Sequence, residues 1–307
     1  EVSSHALDQE RVAGLKFKGA IFTNLTHDHL DYHHTFAEYL KCKKRLFDNL
    51  EKGAFALVNT DDKNGRIMVQ NTAADIYSYS LRDAADFKVK IMEKSIEGSL
   101  LNIDNTDVWT RFIGTHNALN LIAVYGAAIL LGGEKEEVLE KISSLKSVSG
   151  RLEYIKGGND ITAVVDYAHT PDALENVLST LKDIADGNPL VVVFGCGGDR
   201  DKTKRPEMAE VAQKYADRII ITSDNPRSEE PEAIIQDIRK GLTIEGKAKS
   251  LAITDRKEGI RAALMTASRG SIVLIAGKGH EDYQIIKGVK SHFDDKEVII
   301  EYFNEQL

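Results

Sequence analysis

Five short apolar runs in the second half of the chain, at 161–166, 190–194, 218–222, 250–253 and 271–276, alternate with stretches of helical spacing at 171–185, 206–216, 231–240, 255–267 and 294–303. This alternation commits a chain to a parallel or mostly parallel sheet covered by helices on both faces. Pro171 falls in the first turn of its helix, where proline is favoured, and Thr254 or Asp255 is placed to cap another. A sheet of this kind collects ligands at the carboxyl ends of its strands. The loops that begin at Asp166, Gly195, Ser223 and Ala276 all leave such ends, and all are rich in Gly, Asp, Asn, His or Arg. They are expected to converge on one active-site rim.

The first half also reads as α/β. Strands are expected at 20–25 and 54–59, helices at 35–50, 115–131 and 134–145, and an antiparallel patch over 76–112. The Ser-Val-Ser-Gly stretch at 147–150 is the linker candidate. Two domains follow, 1–149 and 150–307, in keeping with a length too great for one small core. The net charge of −8 offers no basic balance for nucleic acid. The longest apolar run, 119–131, falls short of the ~20 residues of a membrane helix and reads as a buried helix, so no membrane partner is expected. Cys42 and Cys196 lack metal-type spacing and fit a reducing, cytoplasmic setting. The chain opens on Glu1 with neither a basic nor an apolar leader, so it is expected to be a processed product or a piece of something longer.

Several segments carry chemistry. Residues 26–34 hold four of the nine histidines. The spacing of His27, His29 and Asp31 suggests a metal site of the HxHxDH type, but Tyr32 displaces His33 by one position; the alternative is a capped helix entry. Asp166 and His169 sit between a strand and a helix, where they suit a ribose hydroxyl or a phosphate, or simply a capped turn. In 195–200, Arg200 stands where a dinucleotide loop needs glycine, so a nicotinamide site is disfavoured. Its backbone amides and arginine suit a carboxylate instead. The Asn-Pro turn at 225–226 aims Arg227 at the same rim. A lone arginine there would more often be a solvated surface group, but two on neighbouring loops favour an anionic ligand. Gly277 and Gly279 allow close backbone approach, and Glu281 suits an ammonium.

Taken in order, EVSSHAL (1–7), FTNLTHDHLDYH (22–33), YLKCKKRLF (39–47), HNALN (116–120), GRLE (150–153), DYAHTPDAL (166–174), FGCGGDRDKTKRP (194–206), DNPRSEEP (224–231) and GKGHEDYQ (277–284) resemble the Mur ligases over essentially the whole chain. The resemblance implies a partial central ATPase domain followed by a Rossmann-like C-terminal domain. It implies a cytoplasmic, ATP-dependent amide ligase of peptidoglycan synthesis that adds meso-2,6-diaminopimelate to UDP-N-acetylmuramoyl-L-alanyl-D-glutamate through an acyl phosphate, with Mg²⁺ to neutralise phosphate charge.

Residue by residue, the resemblance assigns Glu1, His29 and Lys43 to magnesium, Lys43 as a carbamate. Ser3, Gln9 and Arg11 fall to the UDP-muramoyl dipeptide. Asn117 and Asn120 go to adenine, and Arg151, Asp166 and His169 to the ribose and phosphates of ATP. Lys43, His29 and Arg151 are the expected catalytic group. Arg200, Asp224, Asn225, Arg227, Gly277 and Glu281 are assigned to diaminopimelate, with Arg227 on the distal carboxylate and Glu281 on the distal ammonium. Lysine lacks that carboxylate and would leave Arg227 buried and unpaired, which selects against it.

The G-x-x-G-K-[ST] loop of the central domain is absent from 1–307; the look-alike at 277–279 lacks the following hydroxyl residue. The chain is therefore expected to be N-terminally truncated, inactive alone, and prone to self-association, whereas the whole enzyme is expected to be a monomer. The alternatives are a binuclear metal hydrolase using the 27–34 cluster, and a non-catalytic amino-acid or nucleotide-binding module.

Overall fold

The computed structural model of the chain describes residues 1–26, 30–146 and 149–306. It divides into two compact units, 1–146 and 147–307.

The first unit contains, in order, α1 (Ser4–Asp8), β1 (Gly19–Phe22), α2 (Leu30–His33), α3 (Phe36–Asp48), β2 (Phe55–Asn59), α4 (Gly65–Met68), β3 (Asp75–Ser80), β4 (Phe87–Ser95), β5 (Gly98–Ile103), β6 (Thr106–Thr110), α5 (Thr115–Leu130) and α6 (Lys135–Ser144). The strands form one sheet in the order β1 to β6. β2 is buried along its whole length, as a strand covered on both faces must be. Its side chains alternate between two cores. Phe55 and Leu57 pack with Leu121, Ile122 and Tyr125 of α5, while Ala56 and Val58 pack with Tyr39 and Phe47 of α3. Thr35 caps α3 by accepting from the Glu38 N–H.

The patch at 76–112 is only partly antiparallel. β3 runs parallel to β2, and β4 starts parallel to β3; only β4, β5 and β6 alternate in direction. The turns explain the difference. Asp104 and Asn105 both take left-handed φ values, 48° and 62°, as a two-residue hairpin turn of type I′ requires. Between β2 and β3 the chain instead makes the helical excursion α4, and a crossover of that kind returns a strand in the same direction.

The second unit contains β7 (Glu153–Lys156), β8 (Thr162–Asp166), α7 (Pro171–Ala185), β9 (Leu190–Phe194), α8 (Lys204–Tyr215), β10 (Arg218–Ile221), α9 (Pro231–Arg239), α10 (Ile244–Ala248), β11 (Ser250–Ala252), α11 (Arg256–Met265), β12 (Ile272–Ala276), β13 (Tyr283–Ile286), β14 (Val289–His292) and α12 (Asp295–Glu305). The main sheet has the order β11-β10-β9-β12-β8-β7 and is parallel except for β7. One face packs against Ile260 and Leu264 of α11 and Ile299 of α12. The other meets α7 and α8, whose Leu174, Leu178, Leu181 and Met208 are fully buried. Each such side chain contributes roughly 1.5–3 kcal/mol. Thr170 caps α7 ahead of Pro171, and Asp255, not Thr254, caps α11. The parallel arrangement sets Asp166, Phe194, Ile221 and Ala276 side by side at the strand ends, as the alternation of runs implies.

Candidate functional site

The four loops that leave these strand ends are bonded to one another. The loop after β9 and the loop after β10 meet backbone to backbone. A Cβ at Gly195 would sit 2.2 Å from the Thr222 carbonyl oxygen, and one at Gly198 would sit 1.9 Å from that of Pro226. Gly198 N–H donates to the Asn225 carbonyl at 2.9 Å, and Asp199 N–H to Glu229 Oε1 at 2.7 Å. These two amides are therefore taken by the protein itself and not offered to a ligand's carboxylate, contrary to the expectation for this loop. Its glycines allow the two loops to touch. Arg205, fully buried at the start of α8, ties the same loops together by donating to Glu229, Asp237 and the Gly197 carbonyl.

The loop after β12 joins from the other side. Gly277 has φ +116° and lies so close to Asp224 that a Cβ would come within 2.6 Å of Oδ2. Asn225, buried, donates from Nδ2 to Glu281 Oε2 at 2.9 Å and accepts at Oδ1 from the Ile285 N–H at 2.9 Å. Gln284 donates to the Asp224 carbonyl at 2.8 Å. Arg227 N–H donates to the Ile285 carbonyl and Lys287 N–H to that of Arg227. The β13–β14 hairpin is thus sewn to the turn at 224–227.

Arg227 is half-buried, and its Nη1 donates to the carbonyls of Gly198 at 2.8 Å and Asn225 at 3.4 Å. Without a ligand it is therefore neither fully buried nor unpaired, as the sequence-based argument against lysine assumed. Its Nε and Nη2 bond to none of the described residues. Glu281 likewise uses Oε2 alone, for Asn225 and Lys278. The exposed Arg200 runs its stem past Gly197, whose Cβ position lies 3.8 Å from Arg200 Cγ and 2.8 Å from Arg227 Nη1.

Asp166, Arg151 and His169 form the remaining part of the rim. Asp166 accepts from Leu152 N–H and Ala168 N–H, both at 2.8 Å. Burial raises its carboxyl above the usual range, and those two amides and the nearby Arg151 and His169 oppose the rise. Both oxygens already hold a backbone amide, so Asp166 fixes the strand's exit and holds the segment bearing Arg151. The Arg151 guanidinium lies 4.9 Å from the centre of the Tyr167 ring. His169 Nδ1–H donates to the Tyr167 carbonyl at 2.9 Å, which places its other ring nitrogen for a ligand.

In the first unit, Ser3 caps α1 by accepting from Ala6 N–H at 3.1 Å. Gln9 Oε1 accepts from Arg11 Nε at 3.0 Å and from its Nη2. α1 is held against α3 through Cys42 Sγ–H to the Ser4 carbonyl at 3.1 Å. Lys43, half-buried on α3, has its ammonium 5.6 Å from the centre of the Tyr39 ring. Asn117 donates to the Ile113 carbonyl at 2.8 Å at the start of α5, and Asn120 is exposed one turn on. Lys43 and the two asparagines lie on helices that cover opposite faces of the sheet. Glu1 is exposed. His29 lies outside the described residues, as do His27 and Asp28. Among the described residues no three His, Cys, Asp or Glu side chains converge, so the magnesium assignment rests on the resemblance. No helix among them is long and apolar enough to cross a membrane.

Family models match in two blocks. Residues 1–128 match the Mur ligase middle domain, and residues 150–279 the glutamate ligase domain of Mur ligases. The chain belongs to the Mur ligase family. Among curated Mur ligases, the UDP-N-acetylmuramoyl-L-alanyl-D-glutamate–2,6-diaminopimelate ligase of Bacteroides thetaiotaomicron is 56% identical over 305 residues, covering 99% of this chain and 63% of its own length. That of Bacillus cereus is 44% identical over 317 residues, covering 100% of this chain and 64% of its own. A solved structure of a ligase with the same name is 39% identical with a TM-score of 0.65, covering 99% of this chain and 63% of that one. UDP-N-acetylmuramate-alanine ligase from Thermotoga maritima, 19% identical with a TM-score of 0.66 over 94% of this chain and 59% of that one, shares the fold. The chain spans about 63% of the length of such curated relatives.

Three supports of this Mur ligase rim have roles that the motifs do not reveal. Arg256 and Asp295 form a fully buried pair, and Arg256 also donates to the carbonyls of Ser223 and Ala276 at the ends of two loops. One signal was available: an arginine in the first turn of a helix opposes the helix dipole and calls for a partner. Lys278, between two glycines, carries a charge that is ordinarily solvated, yet it is fully buried. Gln284 closes the 277–284 motif, but nothing in the motif says what it bonds to.

Proposed function

We propose that this chain supplies the amino-acid site, and part of the ATP and dipeptide sites, of a cytoplasmic ligase that joins meso-2,6-diaminopimelate to UDP-N-acetylmuramoyl-L-alanyl-D-glutamate. One observation carries the reading. Arg227 and Glu281, of opposite charge, stand on two loops joined through Asn225, and each keeps an edge that bonds to none of the described residues. A planar guanidinium edge suits a carboxylate, and a carboxylate oxygen suits an ammonium. The distal end of diaminopimelate carries both groups on one carbon. The names of the relatives that share more than half of the sequence support the same substrate.

The chemistry asked of the whole protein has three stages. The dipeptide carboxylate takes the γ-phosphoryl group of ATP, releasing ADP and leaving an acyl phosphate. The amine of diaminopimelate attacks that carbonyl and loses a proton. The tetrahedral intermediate then expels phosphate and leaves the amide. The rim's part is to hold the amine donor by its distal end, so that the attacking amine is presented in one orientation. Arg151 and His169 suit the phosphates, and Asn117 and Asn120 the adenine. Magnesium would neutralise phosphate charge, with Glu1, His29 and a carbamylated Lys43 as its assigned ligands; a carbamate replaces a repelling ammonium with an anionic oxygen.

Titration calorimetry of the chain with meso-diaminopimelate and with lysine tests the reading, using Arg227→Ala as the comparison. The wild type should prefer diaminopimelate, and the variant should lose at least about tenfold of that preference. An unchanged preference would sink the assignment of Arg227.

A further inference from the structure

Recognition of a zwitterion by Arg227 and Glu281 leaves the ammonium of Lys278 without a task. Lys278 is fully buried behind the rim. Its Nζ pairs with Glu281 Oε2 at 3.2 Å, donates to the Tyr283 carbonyl, and lies 5.2 Å from the centre of the Tyr283 ring. Burying an ammonium is expensive, and a well-packed apolar side chain of similar volume often serves stability as well or better. The charge itself therefore calls for an explanation.

The geometry at Glu281 supplies one. Both internal donors, Asn225 Nδ2 and Lys278 Nζ, converge on Oε2. Oε1 accepts from none of the described residues. Lys278 thus already offsets the carboxylate that a ligand's ammonium would approach. We propose that Lys278 is a specificity-determining residue: by offsetting Glu281, it makes the pocket reject an amino acid whose distal end is a bare cation and accept one whose distal end is a zwitterion. The proposal rests on the reading of this rim as the amino-acid site.

The charges around the Asn225–Glu281 pair bear this out. Arg200 and Arg227 flank Gly197, and Lys278 lies on Glu281. Against these three cations stand two anions, Glu281 and Asp224, the latter beside Gly277. Arg256 and Asp295 cancel each other. A distal ammonium arriving alone adds a fourth cation to a partly desolvated site, where like charges repel strongly. When a carboxylate arrives with it, the balance holds and Arg227 gains a partner. Arg227 attracts the right ligand and Lys278 penalises the wrong one, so selectivity comes from both.

Calorimetry of the whole chain with three probes tests this: meso-2,6-diaminopimelate, L-lysine and 2-aminopimelate, which keeps the distal carboxylate and lacks the ammonium. In the wild type, removing the ammonium should weaken binding less than removing the carboxylate. Lysine binding as tightly as 2-aminopimelate, or more tightly, overturns the proposal without any variant. In Lys278→Met the ratio of diaminopimelate to lysine affinity should fall about tenfold, because Lys278 repels the distal ammonium of both ligands but attracts the distal carboxylate that diaminopimelate alone carries, and Lys278→Arg should restore it. A merely structural lysine would weaken both ligands by one common factor, and an unchanged ratio overturns the proposal. Lys278→Gln carries the same comparison should the Met variant not fold. If the wild type binds no diaminopimelate, the amino-acid-site reading itself fails, which the wild-type titration alone reveals.

Discussion

The Arg256 guanidinium grips the Asp295 carboxylate at two points, Nε to Oδ1 at 2.7 Å and Nη2 to Oδ2 at 2.8 Å, with both side chains wholly buried. The same guanidinium donates to the carbonyls of Ser223 and Ala276. One pair thereby joins the starts of α11 and α12 to the exits of β10 and β12.

Breaking that pair from one side should be costly, because the other charge stays buried alone. Arg256→Met or Asp295→Asn should each lower stability by about 3–5 kcal/mol. Replacing both with apolar residues should recover much of the loss while leaving the loops at 223 and 276 less ordered. Urea unfolding of the single and double variants checks this; a single variant within about 1 kcal/mol of wild type contradicts the account.

Asn225 links the turn at 224–227 to both Glu281 and the β13–β14 hairpin. Asn225→Ala leaves the Ile285 N–H without its acceptor, at a cost of about 1–3 kcal/mol, and lets Glu281 turn away. Diaminopimelate affinity should fall with stability. Asn225→Asp should bind worse still, since it sets a second carboxylate against Glu281. Calorimetry beside thermal melting separates the two effects. Equal affinity for the Asn, Ala and Asp forms would show that Asn225 does not position Glu281.

Glu229 gives a prediction in pH. The Arg205 guanidinium on its oxygens holds its carboxyl at about 2, against an ordinary 4.5. A depressed carboxyl stabilises the fold above its unfolded value and loses that contribution as pH falls through the folded one. Glu229→Gln should therefore be less stable than wild type near neutral pH. The gap should narrow below about 4.5 and close near about 2. Melting temperatures of both forms across an acid series check this, and a gap independent of pH would count against the Arg205–Glu229 pair as its source.

At Gly198 a single methyl group is decisive. Its Cβ would fall 1.9 Å from the Pro226 carbonyl oxygen, a distance that only backbone movement can relieve. Gly198→Ala should destabilise the chain by about 1–3 kcal/mol and weaken diaminopimelate, because Arg227 Nη1 rests on the Gly198 carbonyl. Gly187, with nothing near its Cβ position but a left-handed φ of 86°, is the control: its Ala variant should lose stability without losing ligand affinity.

Much of the second unit was legible from sequence because its signals are local. The run at 190–194 and the helix at 171–185 have the observed bounds, set by Gly195 on one side and by Thr170 and Pro171 on the other. The rim could be anticipated because parallel strands must end together. The edge strand β7 and the hairpin β13–β14 gave no such cue: four residues each, partly or wholly exposed, they take their shape from neighbours. β3 looked antiparallel because direction is a property of the connection, not of the strand. At the site, residue types suggested what Arg227 and Glu281 suit, but not which of their atoms are already taken. The roles of Lys278 and Gln284 depend wholly on partners brought close by folding.

The loops at 195–198 and 222–226 touch through their main chains, so neither has room to grow while the other stays put. A lineage carrying this rim cannot readily change its ligand by inserting or deleting residues there. Its accessible route is exchange of the few side chains set on or just behind an otherwise fixed floor, at 200, 225, 227, 278 and 281. Descendants with altered amino-acid preference should therefore differ from this chain by point substitutions at constant loop length.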